Sequence, residues 1–271
     1  CLCYNSIIVK KGWGSLKIAI VTGASSGLGK EFVKILDRKE CLNEIWVIAR
    51  RENLLQELQI GCSTPLRILP LDLTQKESVQ KVTALLKKEN PEVKFLINAA
   101  GMGKIGSYRE ISLEDCETMI DLNCRAAVSM TQSVLPFMKK GSHILEICST
   151  AAFQPFPYLN VYAASKASLY RYSRALRVEL FSRKISVTAI CPYWVKDTEF
   201  ICTAKRTQNS SYIHSFPLAS REKTVVKWAF QDAKLGFAVS TPSPICFLHR
   251  ITAKFIPHEL MMGMWSLIRR I

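Results

Sequence analysis

The chain has 271 residues, 48% of them hydrophobic, which suits one large α/β domain or two small ones and excludes a largely disordered chain. Lys and Arg number 37 against 22 Asp and Glu, so the net charge is +15. Such a charge attracts nucleic acid, an anionic membrane or an anionic ligand. Because the basic residues are dispersed, we expect no nucleic-acid partner, and a phosphorylated cofactor explains the charge more simply.

The cysteines and the apolar runs narrow the class of protein further. Ten cysteines are scattered without CxxC or Cys/His spacing, which indicates a reducing, cytoplasmic compartment and no metal site. No apolar run reaches the length of a membrane-spanning helix. Residues 1–15 form an N-terminal extension whose apolar core, Ile7 to Val9, is too short for a signal peptide. Since no Met begins the chain, we expect a truncated or processed start.

The first structured unit combines a strand, a glycine-rich turn and a helix. Lys17–Val21 is a short apolar strand, Thr22–Gly29 reads TGASSGLG, and Lys30–Glu40 has a helical pattern. In such a turn, backbone N–H groups approach a phosphate at the positive end of the helix. We therefore predict a dinucleotide phosphate site here, the alternative being a tight turn without a ligand. Its residues would be Gly23, Ser25, Ser26, Gly27, Leu28 and Gly29.

The second predicted strand, Glu44–Ala49, ends at Arg50 and Arg51. In dinucleotide-binding folds an acidic residue at this point binds the ribose 2′-hydroxyl, whereas an arginine accommodates a 2′-phosphate. Ala49 supplies no carboxylate, and Arg50 is placed to meet a phosphate. We therefore favour NADP(H) over NAD(H), the alternative being that both arginines only face water.

Two further strands, Leu66–Leu71 and Val93–Ile97, continue the alternation. Asp72 closes the first, and Thr74 with Glu77 predicts a capping box for a helix that ends near Lys88. The second is followed by the small-residue turn Asn98-Ala-Ala-Gly101, beside which a cofactor could lie.

The next predicted helix begins at Ser112 and Asp115 and runs towards Leu135. Asn123 lies in its apolar middle, where an asparagine competes for backbone hydrogen bonds. It is either a satisfied core amide or an interruption of the helix that holds water.

Three side chains with a shared chemistry follow. His143–Cys148 is a buried strand that ends at Ser149, and a helix from Asn160 to about Phe181 carries Tyr162 and Lys166 one turn apart on one face. A free phenol has a pKa near ~10, and a nearby ammonium lowers it towards the value that a general acid needs. Ser149 could hold a carbonyl oxygen by a hydrogen bond. The alternative reading of Y-x-x-x-K alone is a solvated lysine beside a packed tyrosine.

After a sixth strand, Ile185–Ile190, the chain passes Cys191-Pro192 into a polar segment. We predict a mobile lid at about residues 193–222, then a helix near Glu222–Asp232 and a last strand, Gly236–Ser240. Residues 16–242 would form one dinucleotide-binding and catalytic domain.

The tail, residues 243–271, is apolar and basic. It places apolar side chains on one helical face and ends in two arginines. This face would pack on its own domain or on a twin subunit in a homodimer or homotetramer, or it would lie in an anionic membrane interface. The predicted face consists of Leu260, Met261, Met264, Trp265 and Ile268, followed by Arg269 and Arg270.

Taken together, these motifs resemble the short-chain dehydrogenase/reductase family over about Lys17–Ser240. The likeness rests on TGASSGLG, LDLT, NAAG, Asn123, Ser149, YAASK and Cys-Pro, in family order and spacing. It implies a seven-stranded parallel Rossmann sheet with helices on both faces, and nicotinamide-dependent oxidation or reduction. The sequence departs from the family at Pro192-Tyr193, where Pro-Gly is usual, and at Thr198, which follows Asp197 and is displaced.

The same likeness assigns roles. Tyr162 would donate and accept the proton, Lys166 would lower its pKa and hold the nicotinamide ribose, Ser149 would position the substrate oxygen, and Asn123 would anchor the water of a proton relay. Asp72 would contact the adenine, and the loop after Pro192 would cover the nicotinamide. The further predicted cofactor residues are Leu73, Asn98, Ala99, Gly101, Tyr162, Lys166, Pro192 and Val195.

The sequence thus predicts an NADP(H)-dependent enzyme that interconverts a ketone and a secondary alcohol on an apolar, steroid- or lipid-like substrate. A second reading is a 3-oxoacyl-thioester reductase, whose acidic carrier protein would suit the positive charge. A third is a cofactor-sensing protein without catalysis.

Overall fold

A parallel sheet of seven strands is the centre of the fold, as the sequence predicts. The computed structural model describes residues 15–207, 212–213 and 218–268, so the predicted N-terminal extension lies almost wholly outside the described residues. The sheet order is β3-β2-β1-β4-β5-β6-β9, and each neighbouring pair is parallel. Its strands are β1 (Lys17–Thr22), β2 (Glu44–Ala49), β3 (Leu66–Pro70), β4 (Glu92–Asn98), β5 (Met138–Ile147), β6 (Ser186–Ile190) and β9 (Val239–Ser240).

The predicted lid contributes a second, smaller ladder. The strands β7 (Val195–Lys196) and β8 (Ser220–Arg221) pair in parallel and are separate from the main sheet. The helices are α1 (Gly27–Lys39), α2 (Glu52–Ile60), α3 (Lys76–Glu89), α4 (Leu113–Ile120), α5 (Ala127–Val134), α6 (Asn160–Glu179), α7 (Glu199–Ala204), α8 (Glu222–Lys234), α9 (Pro244–Phe255) and α10 (His258–Ile268).

Both faces of the sheet are buried under helices, which explains why its strands are continuous apolar runs. Side chains alternate along each strand, so Ile18 and Ile20 face one core while Ala19 and Val21 face the other. The first core is completed by α3, α5 and α6, and the second by α1, α2 and α8. The strand order reverses direction between β1 and β4, and a ligand crevice forms at the carboxyl ends of strands at such a point.

Two local predictions need correction. The capping box of Thr74 and Glu77 is wrong, because α3 begins at Lys76 with Gln75 as its N-cap and without a side-chain capping bond. Thr74 instead donates its backbone N–H and its hydroxyl to Asp72 Oδ1, at 2.9 and 2.8 Å. The helix predicted from Ser112 to Leu135 is divided by a π-helical segment, Asp121–Ala126, that contains Asn123.

The tail packs on the domain with only part of its predicted apolar face. In α10, Met261 and Trp265 are buried, while Leu260 and Met264 are exposed. Positions four residues apart share a face, so the buried pair and the exposed pair form separate stripes. The side chain of Ile268 and residues 269–271 lie outside the described residues. In the part of the chain that the structure describes, no helix is both long and apolar enough to cross a membrane.

Candidate active site

A cleft of about 850 Å³ lies at the carboxyl edge of the sheet, and nearly all of the predicted site residues line it. Two do not. Asn98 points its side chain away from the cleft, and Asn123 lies just behind the wall at Gly101. The predicted residues in the lining are Gly23, Ser25, Ser26, Gly27, Leu28, Gly29, Arg50, Arg51, Asp72, Leu73, Ala99, Gly101, Ser149, Tyr162, Lys166, Pro192 and Val195.

The glycine-rich turn is packed too tightly for side chains. Gly23 has a φ of +66°, and a Cβ on it would lie 2.7 Å from the backbone nitrogen of Ala100. That nitrogen donates a hydrogen bond to Thr22 Oγ1 at 3.0 Å, which joins the turn to the loop after β4. A Cβ on Gly29 would collide with the carbonyl oxygen of Gly23. The close approach keeps the backbone N–H groups at the start of α1 facing the cleft.

Cations gather at one end of the cleft. Arg51 donates to the hydroxyls of Ser25 and Ser26, at 3.2 and 3.0 Å, and forms an ion pair with Glu199 at 2.8 Å. Arg50 extends into solvent with 72% of its side chain exposed, and its Nη1 lies 3.9 Å from Asp72 Oδ2. This end of the cleft therefore offers two guanidinium groups and two hydroxyls to an anion.

The side chain of Asn98 lies in the core rather than in the cleft. Its Nδ2 donates to Thr131 Oγ1 at 2.9 Å and to Glu146 Oε1 at 3.0 Å, within the core beneath the cleft. The side chain alternation of β4 turns it towards α5. The predicted role of Asn98 in lining the cofactor therefore has no support from its side chain and stays a prediction.

Tyr162 and Ser149 meet at the other end of the cleft. Both side chains line the cleft, the Ser149 hydroxyl is near enough to the phenol to lower its pKa, and Tyr162 is buried, with 8% of the residue exposed. The hydroxyl of Ser149 also accepts the N–H of Ala151 at 3.1 Å, which fixes it at the end of β5. The strand end and the first turn of α6 thus bring a hydroxyl and a phenol together, as the sequence predicts.

Lys166 lies one turn further along α6, with 4% of the residue exposed. Its Nζ donates to the carbonyl oxygen of Ile147 at 2.7 Å and lies 5.9 Å from the centre of the Tyr162 ring. Burial lowers the pKa of Lys166, because the charged ammonium is desolvated. The bond to Ile147 holds the ammonium at the cleft wall, on the same side as the phenol.

The expected lowering of the pKa of Tyr162 is not found in this structure. Burial raises its pKa to about 12, and the neighbouring Ser149 hydroxyl opposes that rise. Desolvation is the largest of the influences on this phenol. Tyr162 is accordingly a neutral phenol, which can donate a proton.

Asn123 is a satisfied core amide. Its Oδ1 accepts the N–H of Met102 at 2.9 Å, and its Nδ2 donates to the Met102 carbonyl and to Ser165 Oγ, at 2.8 and 2.9 Å. A Cβ on Gly101 would come within 3.0 Å of Asn123 Oδ1 and 3.2 Å of Lys166 Nζ. The π-helical turn places this amide against the loop after β4 and next to the ammonium. The sequence left two alternatives for Asn123, a satisfied core amide or an interruption of the helix that holds water. The structure combines parts of both, because the α-helix is interrupted and protein groups satisfy the amide.

The cleft wall beyond Tyr162 is aromatic. Phe200 of α7 lies 5.4 Å from Tyr162 between ring centres, and Phe156 meets Trp265 of α10 edge to face at 5.1 Å. Trp265 Nε1 donates a hydrogen bond to the carbonyl oxygen of Pro157 at 3.3 Å, and this bond holds α10 against the wall. Tyr193 and Trp194 complete the lining.

Sequence reasoning missed several members of this wall. Gly103 was one, although it follows Gly101 at a two-residue interval; a Cβ there would lie 2.8 Å from Phe200 Cζ and 2.9 Å from Tyr162 Cδ2. Trp265 was placed on a packing face, but nothing in the local pattern shows that this face closes a cleft. Phe156 and Phe200 lie in loop and lid segments that carry no periodic signal.

The displaced threonine still reaches the glycine-rich turn. Asp197 has a φ of +68°, and this left-handed residue turns the chain so that Thr198 Cγ2 would lie 3.4 Å from a Cβ on Gly27. Pro192, Val195 and Asp197 line the same side of the cleft. The loop therefore covers the cleft despite its departure from Pro-Gly.

A nicotinamide dinucleotide fits these residues. The glycine-rich turn leaves room for a pyrophosphate at the start of α1, cations stand at one end, and the phenol and ammonium stand at the other. A cleft of about 850 Å³ is in the range of cofactor sites.

Comparisons with known proteins agree with this geometry. A family model described as short chain dehydrogenase matches residues 17–209. The chain belongs to the short-chain dehydrogenase family. It is an NAD(P)-dependent oxidoreductase that acts on CH–OH groups.

Relatives of this short-chain dehydrogenase include a named enzyme and a structure in complex with NADPH. It is 35% identical over 186 residues to the NADP-dependent 3-hydroxy acid dehydrogenase YdfG of Escherichia coli, covering 68% of this chain and 74% of that protein. A short-chain dehydrogenase from Sphingobium yanoikuyae in complex with NADPH has a TM-score of 0.74 and 25% identity, over 94% of this chain and 97% of that one.

A more distant structure shows the fold alone. The bulky-bulky ketone specific alcohol dehydrogenase from Comamonas testosteroni has a TM-score of 0.69 and 21% identity, over 95% of this chain and 96% of that one.

Proposed function

We propose that this enzyme interconverts a ketone and a secondary alcohol with NADP(H), on a fairly apolar substrate. The observation that carries the proposal is the meeting of Ser149 and Tyr162 at the end of the cleft, with buried Lys166 beside the Tyr162 ring. A phenol, a hydroxyl and an ammonium at one point suit proton transfer to a carbonyl oxygen.

In the proposed reduction, Ser149 donates a hydrogen bond to the ketone oxygen, and Tyr162 gives that oxygen its proton. Lys166 stabilises the phenolate that remains, because its ammonium lies beside the ring. When bound, a nicotinamide supplies the hydride to the carbonyl carbon or accepts it in the reverse direction. In alcohol oxidation, Tyr162 accepts the proton that it donates in reduction.

Asn123 supports this arrangement through Met102 and Ser165. Its three hydrogen bonds hold the loop after β4 against α6, next to Lys166. We propose that it also anchors the water through which Lys166 exchanges protons with solvent.

The proposed preference for NADP(H) is supported by the cationic end of the cleft. Arg50 and Arg51 follow β2 without a carboxylate at Ala49, and Ser25 and Ser26 add hydroxyl donors. This combination favours a 2′-phosphate over a ribose diol. The complex of the Sphingobium relative with NADPH agrees with it.

The proposed apolar substrate is supported by the aromatic wall. Phe156, Phe200 and Trp265 line the cleft beside Tyr162, together with Trp194. Rings of this size bury a steroid- or lipid-like ketone by the hydrophobic effect and by stacking.

A screen that follows NADPH absorbance tests the function. The panel contains sterol ketones, 3-oxoacyl thioesters and 3-oxo acids, with NADH run in parallel. We expect turnover of sterol or other apolar ketones with NADPH. Turnover of acyl thioesters alone would favour the carrier-protein reading, and cofactor binding without turnover of any ketone would favour a sensor.

We also propose where the enzyme works and what covers its tail. The eight described cysteines are all free thiols, which suits the cytoplasm. The exposed apolar side chains of α9 and α10 would contact a twin subunit, in a homodimer or homotetramer, or an anionic membrane surface. They are Phe247, Leu248 and Phe255 in α9 and Leu260 and Met264 in α10. Deletion from Pro257 distinguishes the two, because it should either dissociate the oligomer or release the protein from anionic vesicles.

A further inference from the structure

A carboxylate already occupies part of the cationic end of the cleft. Glu199 Oε1 accepts from Arg51 Nη1 at 3.0 Å, and its Oε2 lies 2.8 Å from Arg51 Nη2. The same guanidinium donates to Ser25 and Ser26. Arg51 is thus the centre of a small anion site, and the anion in it belongs to the protein.

The position of Glu199 in the chain connects two parts of the cleft. It is the first residue of α7, and its neighbour Thr198 approaches the glycine-rich turn at Gly27. The next residue, Phe200, forms the substrate wall beside Tyr162. The ion pair with Arg51 therefore fastens the element that carries part of the substrate pocket to the element predicted to bind phosphate.

We propose that Glu199 takes the place of the cofactor's 2′-phosphate on Arg51 and so determines how strongly the enzyme discriminates between NADPH and NADH. The proposal rests on the proposed NADP(H) site. A 2′-phosphate and the Glu199 carboxylate require the same guanidinium and hydroxyl donors, and two anions do not share them without repulsion. NADPH binding must displace Glu199 from Arg51, whereas NADH carries a hydroxyl there and leaves the ion pair in place.

The expected effect of Glu199 on NADPH affinity is limited by the exposure of the ion pair to water. The side chains of Arg51 and Glu199 are 43% and 60% exposed, so solvent and salt screen their attraction. A phosphate carries more charge than a carboxylate and accepts more hydrogen bonds, so it displaces Glu199 at a modest cost in affinity. Removal of the carboxylate charge should remove that cost.

The test is Glu199→Gln, which keeps the shape of the side chain and removes its charge. NADPH and NADH are titrated separately against the parent and the variant, with cofactor fluorescence as the readout and without substrate. We expect NADPH to bind about two- to fivefold more tightly to the variant, the range of an exposed ion pair. The NADH affinity should not change. Glu57→Gln removes an exposed carboxylate on α2 and controls for the change in net charge.

The outcomes separate this proposal from the proposed function. An unchanged NADPH affinity, or equal tightening of NADPH and NADH, would overturn the role of Glu199 while leaving the NADP(H) site intact. Equal tightening by Glu57→Gln would also overturn it. If the parent binds neither cofactor, the proposed function itself fails. A second variant, Glu199→Ala, should shift the NADPH affinity in the same direction.

Discussion

The two ends of the cleft differ most in their exposure to water. At the proton-transfer end, Tyr162 and Lys166 are 8% and 4% exposed, and Asn123 is buried with every polar atom of its amide bonded. At the phosphate end, the Arg50 and Arg51 side chains are 72% and 43% exposed. Electrostatic interactions are strong where water is excluded and weak where it screens them.

The contrast assigns different tasks to the two ends. A buried group affects a reaction by its protonation state, so its replacement should change turnover by orders of magnitude. An exposed charge affects binding by a few fold and in a salt-dependent way. The protein therefore places its chemistry in the desolvated end and its choice of cofactor in the solvated end.

Lys166→Met should have the largest effect among the variants that keep the phenol. It removes the ammonium beside Tyr162 and leaves the Ile147 carbonyl without its 2.7 Å partner. We expect kcat to fall about a hundredfold, because phenolate stabilisation is lost. Steady-state kinetics with NADPH and an accepted ketone measure this, and a thermal melt confirms that the variant folds. A loss of less than tenfold would mean that the buried end does not depend on its cation.

Glu146→Gln tests how burial changes the titration of a carboxyl group in the core beneath the cleft. Burial raises the pKa of Glu146 to about 7 from 4.5, so the folded protein binds a proton that the unfolded chain releases between these values. Its contribution to stability is present below about pH 4.5 and is lost as pH rises through about 7. The variant does not titrate, so its stability gain over the parent should grow by about 2 kcal/mol between pH 5 and pH 8.

Urea unfolding at the two pH values measures that gain, with Glu57→Gln as the exposed control. A gain that is the same at pH 5 and pH 8 would show that Glu146 is ionised in the folded protein. The Oε2 atom of Glu146 and the Oδ1 atom of Asn98 accept no hydrogen bond from the described residues, which agrees with a protonated acid or a bound water at this point.

The sequence predicted the sheet and most of the cleft because both depend on local patterns. Apolar runs of five or six residues predicted every strand of the main sheet. The turn from Gly23 to Gly29 could be predicted from the spacing of its glycines between a strand and a helix. The meeting of Ser149 and Tyr162 could be predicted, because the end of a strand and one face of a helix leave few other positions for these two side chains.

The remainder depends on tertiary contacts that no local pattern encodes. The pKa of Tyr162 follows from the depth of its burial, and the closing of the wall by Trp265 follows from where α10 lies. The contact of Arg51 with Glu199 joins residues 148 positions apart. Asn98 was assigned to the cleft by its position in a turn, although the strand turns its side chain into the core.

Arg50→Asp should have the smallest effect of the three, because Arg50 lies at the exposed end. The change removes a cation from the proposed 2′-phosphate site and offers a carboxylate to a ribose hydroxyl. We expect NADPH to bind about tenfold more weakly at low salt and NADH somewhat more tightly, with the difference shrinking as salt is added. Lys227→Asp, at an exposed position of α8, repeats the charge change away from the cleft. Equal use of NADPH and NADH by the parent would contradict the assigned preference.

Tyr162→Phe tests whether Tyr162 is the group that gives the ketone its proton, when turnover and cofactor binding are measured on the same preparation. The variant removes one oxygen from a buried ring and leaves the glycine-rich turn and both arginines untouched. We expect kcat for ketone reduction to fall by about 10²- to 10⁴-fold, while the NADPH dissociation constant stays within about twofold of the parent. Retained turnover with intact NADPH binding would contradict this role of Tyr162, because the proton would then come from another group.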